Sequence, residues 1–433
     1  MGIFIFLTVV TFEIIFAVFC IITKSNQQKI RNIFRILAFI VFVLFTILSV
    51  IEWNFRYYTL ATILLLLSII GTIGLIKKNQ RERVYKTVRV IMKSIGMTLL
   101  ILVVTLPSII FPQYKEIKPT GKYQVATVKY TYTDKNRIET YINTEKNRKL
   151  NVEMWYPKNI HGKYPLIVFS HGALGIKTSN ETLFNELASH GYIVCSIDHT
   201  YQSLYTTDDT GHTVFVDKTY MNELKTEDAK INKKQSYEYY QKWMEIRTDD
   251  MNFVIDYILT KTKDKTSDAI YKLVDTTKIG VMGHSLGGSS ALGIGRMRKD
   301  INAVIALESP FMCDIKGVKN NEFVFTGDKY PVPVLNVYSD SSWKYLNEWP
   351  QYSENYALLS NINPTAFNVN IRGVGHLTLT DLALTSPFLT RMLNGQKSTT
   401  DTEYCLKFIN KVCLNFFDCY LKGKGKFNLG GTY

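Results

Sequence analysis

The residues with the clearest chemical potential lie at 283–287, where the sequence reads GHSLG and a further glycine follows. A short apolar run precedes this motif, and a helical pattern begins near Leu286. A serine flanked by glycines in that context is typical of a sharp strand-to-helix turn that exposes the hydroxyl above a sheet. Small residues avoid clashes in the turn, and the helix N-terminus favours negative charge beside the serine. We therefore predict that Ser285 is a nucleophile.

A base that can activate Ser285 is predicted at His376. This histidine closes the segment 372–376, which follows the last predicted strand and lies downstream of the serine. A neutral imidazole near pH 7 can accept the serine proton and return it to a leaving group. The chain order serine, acid, histidine is the one used by folds with this turn. His161, His190, His199 and His212 lie upstream of the serine, in the wrong order for this role.

The acid that would orient His376 has two candidates. Glu308 ends the predicted strand 303–307, and Asp340 follows the predicted strand 332–338. Either carboxylate could hold the imidazole and stabilise its charged form. A strand end also suits a polar residue with no catalytic role, so the residues alone leave the choice open.

An oxyanion hole is predicted from two backbone N–H groups. One belongs to Leu286, the residue after the nucleophile. The other belongs to Ala173 in the segment 170–173, which reads SHGA after an apolar strand. In folds with this turn, the second donor comes from a loop after an upstream strand. Each donor would stabilise a tetrahedral oxyanion by roughly 3 kcal/mol. We expect His171 to shape this loop and to take no part in proton transfer.

Apolar segments alternate with helical patterns from residue 113 to residue 433. This alternation predicts a mostly parallel sheet with helices on both faces, and the motifs identify it as an α/β-hydrolase domain. The polar stretch 201–234 follows a strand at the ligand-binding edge of such a sheet, and it fits a lid and a surface insertion equally. Strands are predicted at 149–156, 164–170, 192–197, 278–282, 303–307, 332–338 and 367–371, and helices at 180–189, 235–261 and 402–421.

The N-terminal region, 1–112, contains four apolar runs. Each is close to the roughly 20 residues needed to cross the hydrocarbon core of a bilayer. No basic residue precedes the first run, which argues for a retained helix rather than a cleaved signal peptide. That run contains Glu13, which we interpret as protonated or paired with another helix. We expect four transmembrane helices, at 2–23, 33–51, 57–76 and 94–111.

The charge around these runs predicts their orientation. Residues 1–113 hold 12 Lys and Arg against 3 Asp and Glu, whereas the remainder holds 39 against 34. The positive-inside rule places the basic first and third loops in the cytoplasm, so the hydrolase domain of a multi-pass cell-membrane protein would be extracytoplasmic. The basic residues of the two loops are Lys24, Lys29, Arg31, Lys77, Lys78, Arg81, Arg83, Lys86, Arg89 and Lys93.

The composition argues against several other functions. We attribute the formal net charge of +14 to membrane orientation, so no nucleic-acid partner is expected. The six cysteines show neither CxxC spacing nor a histidine-rich neighbourhood, so no zinc site is expected. We interpret them mostly as small buried apolar residues. The serine chemistry needs no metal and no other cofactor.

Together these motifs resemble the plasma-type platelet-activating-factor acetylhydrolase family of the α/β-hydrolase superfamily. The resemblance covers about residues 160–380. It rests on FSHG at 169–172, LASHGYIV at 187–194, GHSLGG at 283–288, ALE at 306–308 and IRG at 371–373, leading to His376.

The resemblance implies a calcium-independent serine esterase that releases short or oxidised acyl chains from phospholipids. It also implies that Ala173 occupies the oxyanion position. The family acid is an aspartate directly after the strand that follows the nucleophile helix. Glu308 stands at that position, which favours it over Asp340 although it departs from the family residue. The four leading helices are a second departure.

The preferred hypothesis is hydrolysis of carboxylic esters through an acyl-enzyme on Ser285. A membrane anchor favours a phospholipid or another lipophilic acyl ester as the substrate. A general carboxylesterase acting on soluble small-molecule esters is the alternative among enzymes. A non-catalytic membrane sensor with a hydrolase fold is the alternative outside them. The intact nucleophile, base and oxyanion donors argue against a sensor.

Overall fold

The computed structural model describes residues 1–77, 84–142, 145–158, 161–360 and 365–433. The chain divides into two compact units. The first comprises Met1–Lys115 and Leu384–Leu389, and the second comprises Glu116–Ala383 and Thr390–Tyr433. The boundary predicted after residue 112 lies close to this division.

The first unit is built from four long apolar helices. They are α1 (Gly2–Ile22), α2 (Gln28–Ile47), α3 (Phe55–Ile76) and α4 (Thr87–Ile110). With 20 to 24 residues each, they are long and apolar enough to cross a membrane, because an α-helix rises about 1.5 Å per residue. Most of their apolar side chains are exposed, as lipid-facing side chains would be. The prediction of four apolar helices that could span a membrane is confirmed.

Two of these helices begin at least five residues earlier than predicted. The polar segments before the apolar runs continue the helix, so α2 begins at Gln28 rather than at residue 33, and α4 begins at Thr87 rather than at residue 94. Four basic residues assigned to loops therefore lie in helices: Lys29, Arg31, Arg89 and Lys93. Three further residues that were predicted in loops, Lys78, Arg81 and Arg83, lie outside the described residues.

A buried polar contact joins three of the four helices. Glu13 of α1 accepts a hydrogen bond from Ser94 of α4 at 2.8 Å and lies 3.1 Å from the guanidinium of Arg31 of α2. All three side chains are more than nine-tenths buried. A charged group in a membrane is tolerated when it faces the helix bundle and pairs there. The interpretation of Glu13 as a helix-paired carboxylate agrees with this contact.

In the residues that the structure describes, the second unit is organised around a nine-stranded sheet with the order β1-β2-β4-β3-β7-β8-β11-β12-β13. The strands β1 and β4 pair antiparallel with β2, and all the other neighbours pair parallel. The sheet strands are β1 (Val125–Ile138), β2 (Asn147–Pro157), β3 (Tyr164–Ser170), β4 (Ile193–Asp198), β7 (Val274–His284), β8 (Ile301–Leu307), β11 (Val334–Ser339), β12 (Ala366–Ile371) and β13 (Gly431–Thr432). Two separate hairpins are formed by β5 (Tyr205–Thr207) with β6 (Thr213–Phe215) and by β9 (Ile315–Lys319) with β10 (Glu322–Phe325).

Helices cover both faces of this sheet. Val168 of β3 packs in the core beneath α7 and α9, whereas its neighbour Phe169 makes an edge-to-face contact with Phe184 of α5 on the opposite face. Parallel strands covered on both faces are apolar throughout, which is why β3 and β4 were evident in the sequence. The helices are α5 (Glu181–Ser189), α6 (Lys218–Thr226), α7 (Lys233–Lys263), α8 (Ala269–Lys272), α9 (Leu286–Met297), α10 (Asp340–Trp343), α11 (Ser353–Ser360), α12 (Leu382–Thr385), α13 (Pro387–Asn394) and α14 (Thr402–Lys422).

Every strand predicted from the sequence is present, with ends that differ by a few residues. The polar stretch 201–234 is more ordered than predicted, because it contains the β5–β6 hairpin and α6. The helix α6 buries Tyr220 completely against Trp243 of α7. The choice between a lid and a surface insertion for this stretch stays open.

Candidate active site

The predicted nucleophile lies in a strained turn between β7 and α9. Ser285 has φ 55° and ψ −127°, and it is the residue that immediately precedes α9. A positive φ is unusual for a residue with a Cβ atom and persists only where the surrounding structure enforces it. Here the Ser285 N–H donates to the carbonyl of Leu307 on the neighbouring strand β8, at 2.8 Å. This geometry is that of a nucleophile elbow.

The glycines on either side of Ser285 are required by close backbone contacts. A Cβ atom on Gly283 would overlap the backbone of Gly287, and one on Gly287 would overlap the carbonyls of Ser170 and His171. The start of α9 therefore packs directly on the backbone at the end of β3. The same contact brings the segment 170–173 to the nucleophile.

The two predicted oxyanion donors lie at this contact. A Cβ atom on Gly172 would stand 3.2 Å from the Cβ of Ser285, so the loop that carries Ala173 passes beside the nucleophile. Within the described part of the chain, neither the N–H of Ala173 nor that of Leu286 donates a hydrogen bond. Leu286 is the first residue of α9, where an N–H has no partner inside the helix. Both groups are therefore free to bind an oxyanion.

The predicted base lies in the loop after β12. His376 begins a short 3-10 helix (His376–Leu379), and its N–H donates to Ser341 Oγ at 3.0 Å. Its ring lies beside the elbow, with its centroid 4.5 Å from that of His284. Burial, and then the neighbouring His376, hold the pKa of His284 well below its usual value. The neutral His284 donates from Nε2 to the His376 carbonyl at 3.1 Å and so fixes this loop.

Of the two predicted acids, Glu308 approaches the base. Its Oε1 lies 4.0 Å from His376 Nδ1, which is an ion-pair distance rather than a hydrogen bond. The carboxylate is 1% exposed. It is held by Ser339, whose N–H donates to Oε2 and whose Oγ donates to Oε1 at 2.7 Å. Glu308 also has a positive φ of 54°, which turns the chain sharply at the end of β8.

Asp340 holds a different part of the site. Its Oδ2 accepts a hydrogen bond from the N–H of Gly373 at 2.8 Å and lies 3.9 Å from Lys344 Nζ. Within the described residues, no hydrogen bond or ion pair joins Asp340 to His376. Gly373 has φ 72° and opens the turn that leads to His376. Asp340 therefore fixes this turn, whereas Glu308 faces the imidazole.

A buried cluster rich in aromatic residues, which we call the aromatic cap, borders the oxyanion donors. It is formed by Tyr220, Tyr240, Trp243, Met312 and Ile315. The side chain of Leu286 belongs to the same cluster, and that of Ala173 packs against it. The residues that carry the two predicted oxyanion donors therefore pack against apolar side chains on this side.

A second Ser–His–Asp arrangement, fully buried, lies behind the segment 170–173, which we call the oxyanion loop. His199 Nε2 lies 2.7 Å from Ser170 Oγ, and its Nδ1 lies 2.9 Å from Asp250 Oδ2. Asp250 also binds Arg148 through two hydrogen bonds of 2.7 Å. Although burial opposes ionisation of Asp250, the Arg148 guanidinium lowers its pKa, so the carboxylate is charged. Burial above all, and then Arg247, lower the pKa of His199 to about 4, so its ring is neutral.

Sequence reasoning missed this network. His199 precedes Ser285 and was set aside because of the chain order, and Arg247 was not considered. The signal was present in α7, where Arg247 and Asp250 share the buried face with Trp243, Met251 and Val254. Charged residues on the buried stripe of a helix need partners inside the protein, and here they find them behind the elbow.

A family model described as platelet-activating factor acetylhydrolase, isoform II, matches residues 119–431. The chain belongs to this family. The resemblance predicted from the sequence motifs is therefore confirmed, and the family region includes every predicted site residue. The four apolar helices precede it.

Curated relatives agree with this family assignment. Platelet-activating factor acetylhydrolase from Canis lupus familiaris is 24% identical over 270 residues, which cover 60% of this chain and 57% of that protein. Cutinase est2 from Thermobifida alba is 27% identical over 154 residues, or 36% of this chain and 37% of the cutinase. The chain thus spans just over half the length of the dog relative and a smaller share of the cutinase.

A solved structure supports the fold. Ferulic acid esterase from Streptomyces cinnamoneus superimposes with a TM-score of 0.53 at 21% sequence identity, covering 71% of this chain and 93% of the esterase. With the mostly parallel sheet covered on both faces, this likeness confirms the predicted α/β-hydrolase fold.

Proposed function

We propose that the chain is a membrane-anchored serine esterase that hydrolyses carboxylic esters through an acyl-enzyme on Ser285. The observation that carries this proposal is the left-handed backbone of Ser285 in the strand-to-helix turn, with the ring of His376 centred 4.5 Å from that of the adjacent His284. A glutamate at ion-pair distance from that ring and two unpaired backbone donors beside the serine support it. The family, which includes acetylhydrolases, and the esterase relatives support the same reaction class.

In the proposed reaction, the imidazole of His376 takes the proton of the Ser285 hydroxyl while Oγ attacks the ester carbonyl. The carbonyl oxygen becomes an oxyanion that binds the N–H groups of Ala173 and Leu286. The C–O bond of the ester then breaks, and the protonated imidazole gives its proton to the leaving alcohol. A water molecule, activated by the same imidazole, hydrolyses the acyl-enzyme and restores Ser285.

Glu308 is proposed as the acid of this reaction. A buried carboxylate that faces the ring stabilises the imidazolium and keeps the ring in one orientation. Its firm hold by Ser339 means that it cannot turn away when His376 becomes charged. The contacts of Asp340 with Gly373 and Lys344 suit a role in fixing the histidine loop.

A lipid or another lipophilic acyl ester is the proposed substrate class. The aromatic cap gives the residues that carry the oxyanion donors apolar neighbours, and such surroundings favour an apolar acyl or alcohol group. Four helices able to cross a membrane would hold the enzyme close to lipid substrates. We infer from the basic residues around α1 to α4 that the hydrolase domain is extracytoplasmic. A C-terminal epitope detected on intact cells, without permeabilisation, tests this orientation.

The full chain purified in detergent tests the activity on p-nitrophenyl acetate, butyrate and longer esters. Ser285→Ala should lower turnover by at least about 10³-fold, because the nucleophile and base act as a unit. Ser353→Ala, which changes an exposed serine in α11, is the matched control and should be unaffected. Turnover that survives in Ser285→Ala would refute the assignment. Preference for the shortest, soluble esters would favour a general carboxylesterase instead, and failure of a fluorophosphonate to label the wild-type chain would favour a non-catalytic fold.

A further inference from the structure

Arg247 is a fully buried cation in the middle of α7 that binds the backbone of the oxyanion loop. Its Nη1 donates to the carbonyl of His171 at 2.6 Å, and its Nη2 lies 3.4 Å from the carbonyl of Gly172. Its Nε donates to Gln202 at 2.7 Å. One rigid guanidinium therefore holds two consecutive carbonyl groups of this loop, which an ammonium group could not do in the same geometry.

His171 binds the second of these carbonyls from its own side chain. Its Nδ1 lies 2.6 Å from the Gly172 oxygen, and since a carbonyl only accepts, Nδ1 carries the proton. The Nε2 atom accepts from the backbone N–H of His199 at 3.4 Å and lies 2.8 Å from Ser203 Oγ. Burial above all, and then the Arg247 guanidinium, hold the pKa of His171 well below its usual value. The tautomer with its proton on Nδ1 thus donates to the Gly172 carbonyl and leaves Nε2 as an acceptor.

These contacts fix the direction of the oxyanion donor. In a trans peptide, the C=O of one residue and the N–H of the next point in opposite directions. The Gly172 carbonyl points at the His171 ring and Arg247, which are both completely buried. The N–H of Ala173, on the other side of the same peptide plane, must therefore point away from them. Gly172 lies beside Ser285, since a Cβ atom on Gly172 would stand 3.2 Å from the Cβ of Ser285.

The buried Ser170–His199–Asp250 arrangement supports the same loop from behind. Ser170 is the last residue of β3, and its Oγ also lies 3.4 Å from Arg247 Nη1. Because His199 donates to the charged Asp250 through Nδ1, its Nε2 accepts the Ser170 proton. Ser170 has no access to solvent and so cannot meet a substrate. The chain of contacts ends at the backbone of the oxyanion loop.

We propose that His171 and Arg247 are positioning residues that aim the Ala173 N–H at the oxyanion by fixing the Gly172–Ala173 peptide plane, with Ser170, His199 and Asp250 as their buried support. This inference rests on the proposed esterase function. Its expected signature is a loss of transition-state stabilisation with little change in substrate binding.

The test compares His171→Leu with His171→Asn in the full chain. Leucine removes the donor to the Gly172 carbonyl, whereas the amide of asparagine stands at about the place of Nδ1 and keeps it. We expect kcat on p-nitrophenyl butyrate to fall by about 10²-fold in His171→Leu, the lower end of the loss of one oxyanion donor, and by less than about 10-fold in His171→Asn. KM should stay within about 3-fold in both, because the ground-state ester makes no such bond. All rates are divided by the number of sites that a fluorophosphonate titrates, so misfolded protein does not count.

A trifluoromethyl ketone, which forms a tetrahedral oxyanion on the serine, supplies a second readout. Its inhibition constant should rise in His171→Leu by about the factor by which kcat falls. His212→Leu, at an exposed histidine beside β6, is the matched control and should change neither quantity. Arg247→Lys keeps the charge but not the fork, so we expect about a 10-fold fall in kcat per titrated site. This variant keeps the proposal testable if His171→Leu does not fold.

Several outcomes would overturn the inference. A kcat per titrated site that is unchanged in His171→Leu or Arg247→Lys would do so, and so would equal losses in His171→Asn and His171→Leu, which would point to ring packing. A change confined to KM would also do so. A wild-type chain that neither hydrolyses esters nor reacts with the fluorophosphonate refutes the proposed function itself, which distinguishes the two failures.

Discussion

Replacing Glu308 by glutamine removes the negative charge and one of the two acceptor oxygens that face Ser339. The side chains have nearly the same shape, and the glutamine oxygen can still accept from Ser339. The change should therefore leave the end of β8 folded and act on His376, whose Nδ1 lies 4.0 Å from the carboxylate. If Glu308 is the catalytic acid, the imidazolium that forms during acylation loses its stabilising charge.

The size of the effect follows from this distance. Two unit charges 4 Å apart interact by about 4 kcal/mol at an effective dielectric constant of about 20. That energy corresponds to about a 10³-fold change in rate. The side chain of His376 is 34% exposed, so solvent screens part of the interaction. We expect kcat to fall by about 10²-fold, with KM changed little, because the charge on the imidazole exists only after proton transfer.

The measurement is steady-state hydrolysis of p-nitrophenyl butyrate, with rates divided by fluorophosphonate-titrated sites. The matched control is Asp340→Asn, whose amide oxygen can still accept the hydrogen bond from the Gly373 N–H. We expect that variant to retain kcat within about 10-fold, as for the loss of a charge at a supporting hydrogen bond. If Asp340→Asn lost 10²-fold or more while Glu308→Gln kept the wild-type rate, Asp340 would be the acid and the reasoning from distance would be wrong.

Two further predictions concern stability. Glu13→Gln leaves Arg31 buried without a carboxylate and should destabilise the helices by about 3 kcal/mol, seen as a lower unfolding midpoint in detergent. Glu52→Gln, at an exposed carboxylate, should not change this midpoint, and equal midpoints for both variants would contradict the role of the pair. The pKa of His199 is about 4 when folded and 6.5 when exposed, so the unfolded chain binds the extra proton first. The contribution of His199 to the free energy of unfolding should therefore be complete above pH 6.5 and should decrease as the pH falls towards 4. Urea unfolding at pH 7.5 and pH 5 measures this decrease. The decrease should be smaller in His199→Gln. The same pH dependence in His199→Gln and in the wild type would refute this prediction.

The sequence predicted the parts of the fold that depend on continuous apolar runs. β3 and β4 are buried on both faces, so their pattern is unmistakable. By contrast, β1 was not predicted, because it is an edge strand with many polar residues and gains its structure from antiparallel pairing with β2. The short β9–β10 hairpin was missed for a similar reason, since its residues order through contacts with α7 and not through a local pattern.

The residues of the candidate site also differ in how far the sequence alone identifies them. A turn such as that of Ser285 has a local signature, because the overlap at Gly283 and Gly287 restricts residue types within five positions. The acid has no local signature. Glu308 and Asp340 follow β8 and β11, which are neighbours in the sheet, so both carboxylates reach the same region. Only their hydrogen-bond partners, far away in sequence, distinguish the one that faces His376.

The contact of Gly287 with the carbonyls of Ser170 and His171 joins main chain to main chain, with no side chain between them. One wall of the site therefore has no part that a single substitution can reshape without moving a helix or a strand. The neighbouring aromatic cap, by contrast, is made of exchangeable side chains, among them Tyr220, Trp243 and Met312. Substitutions that change ester preference would therefore act through the side chains of the aromatic cap rather than through this main-chain contact.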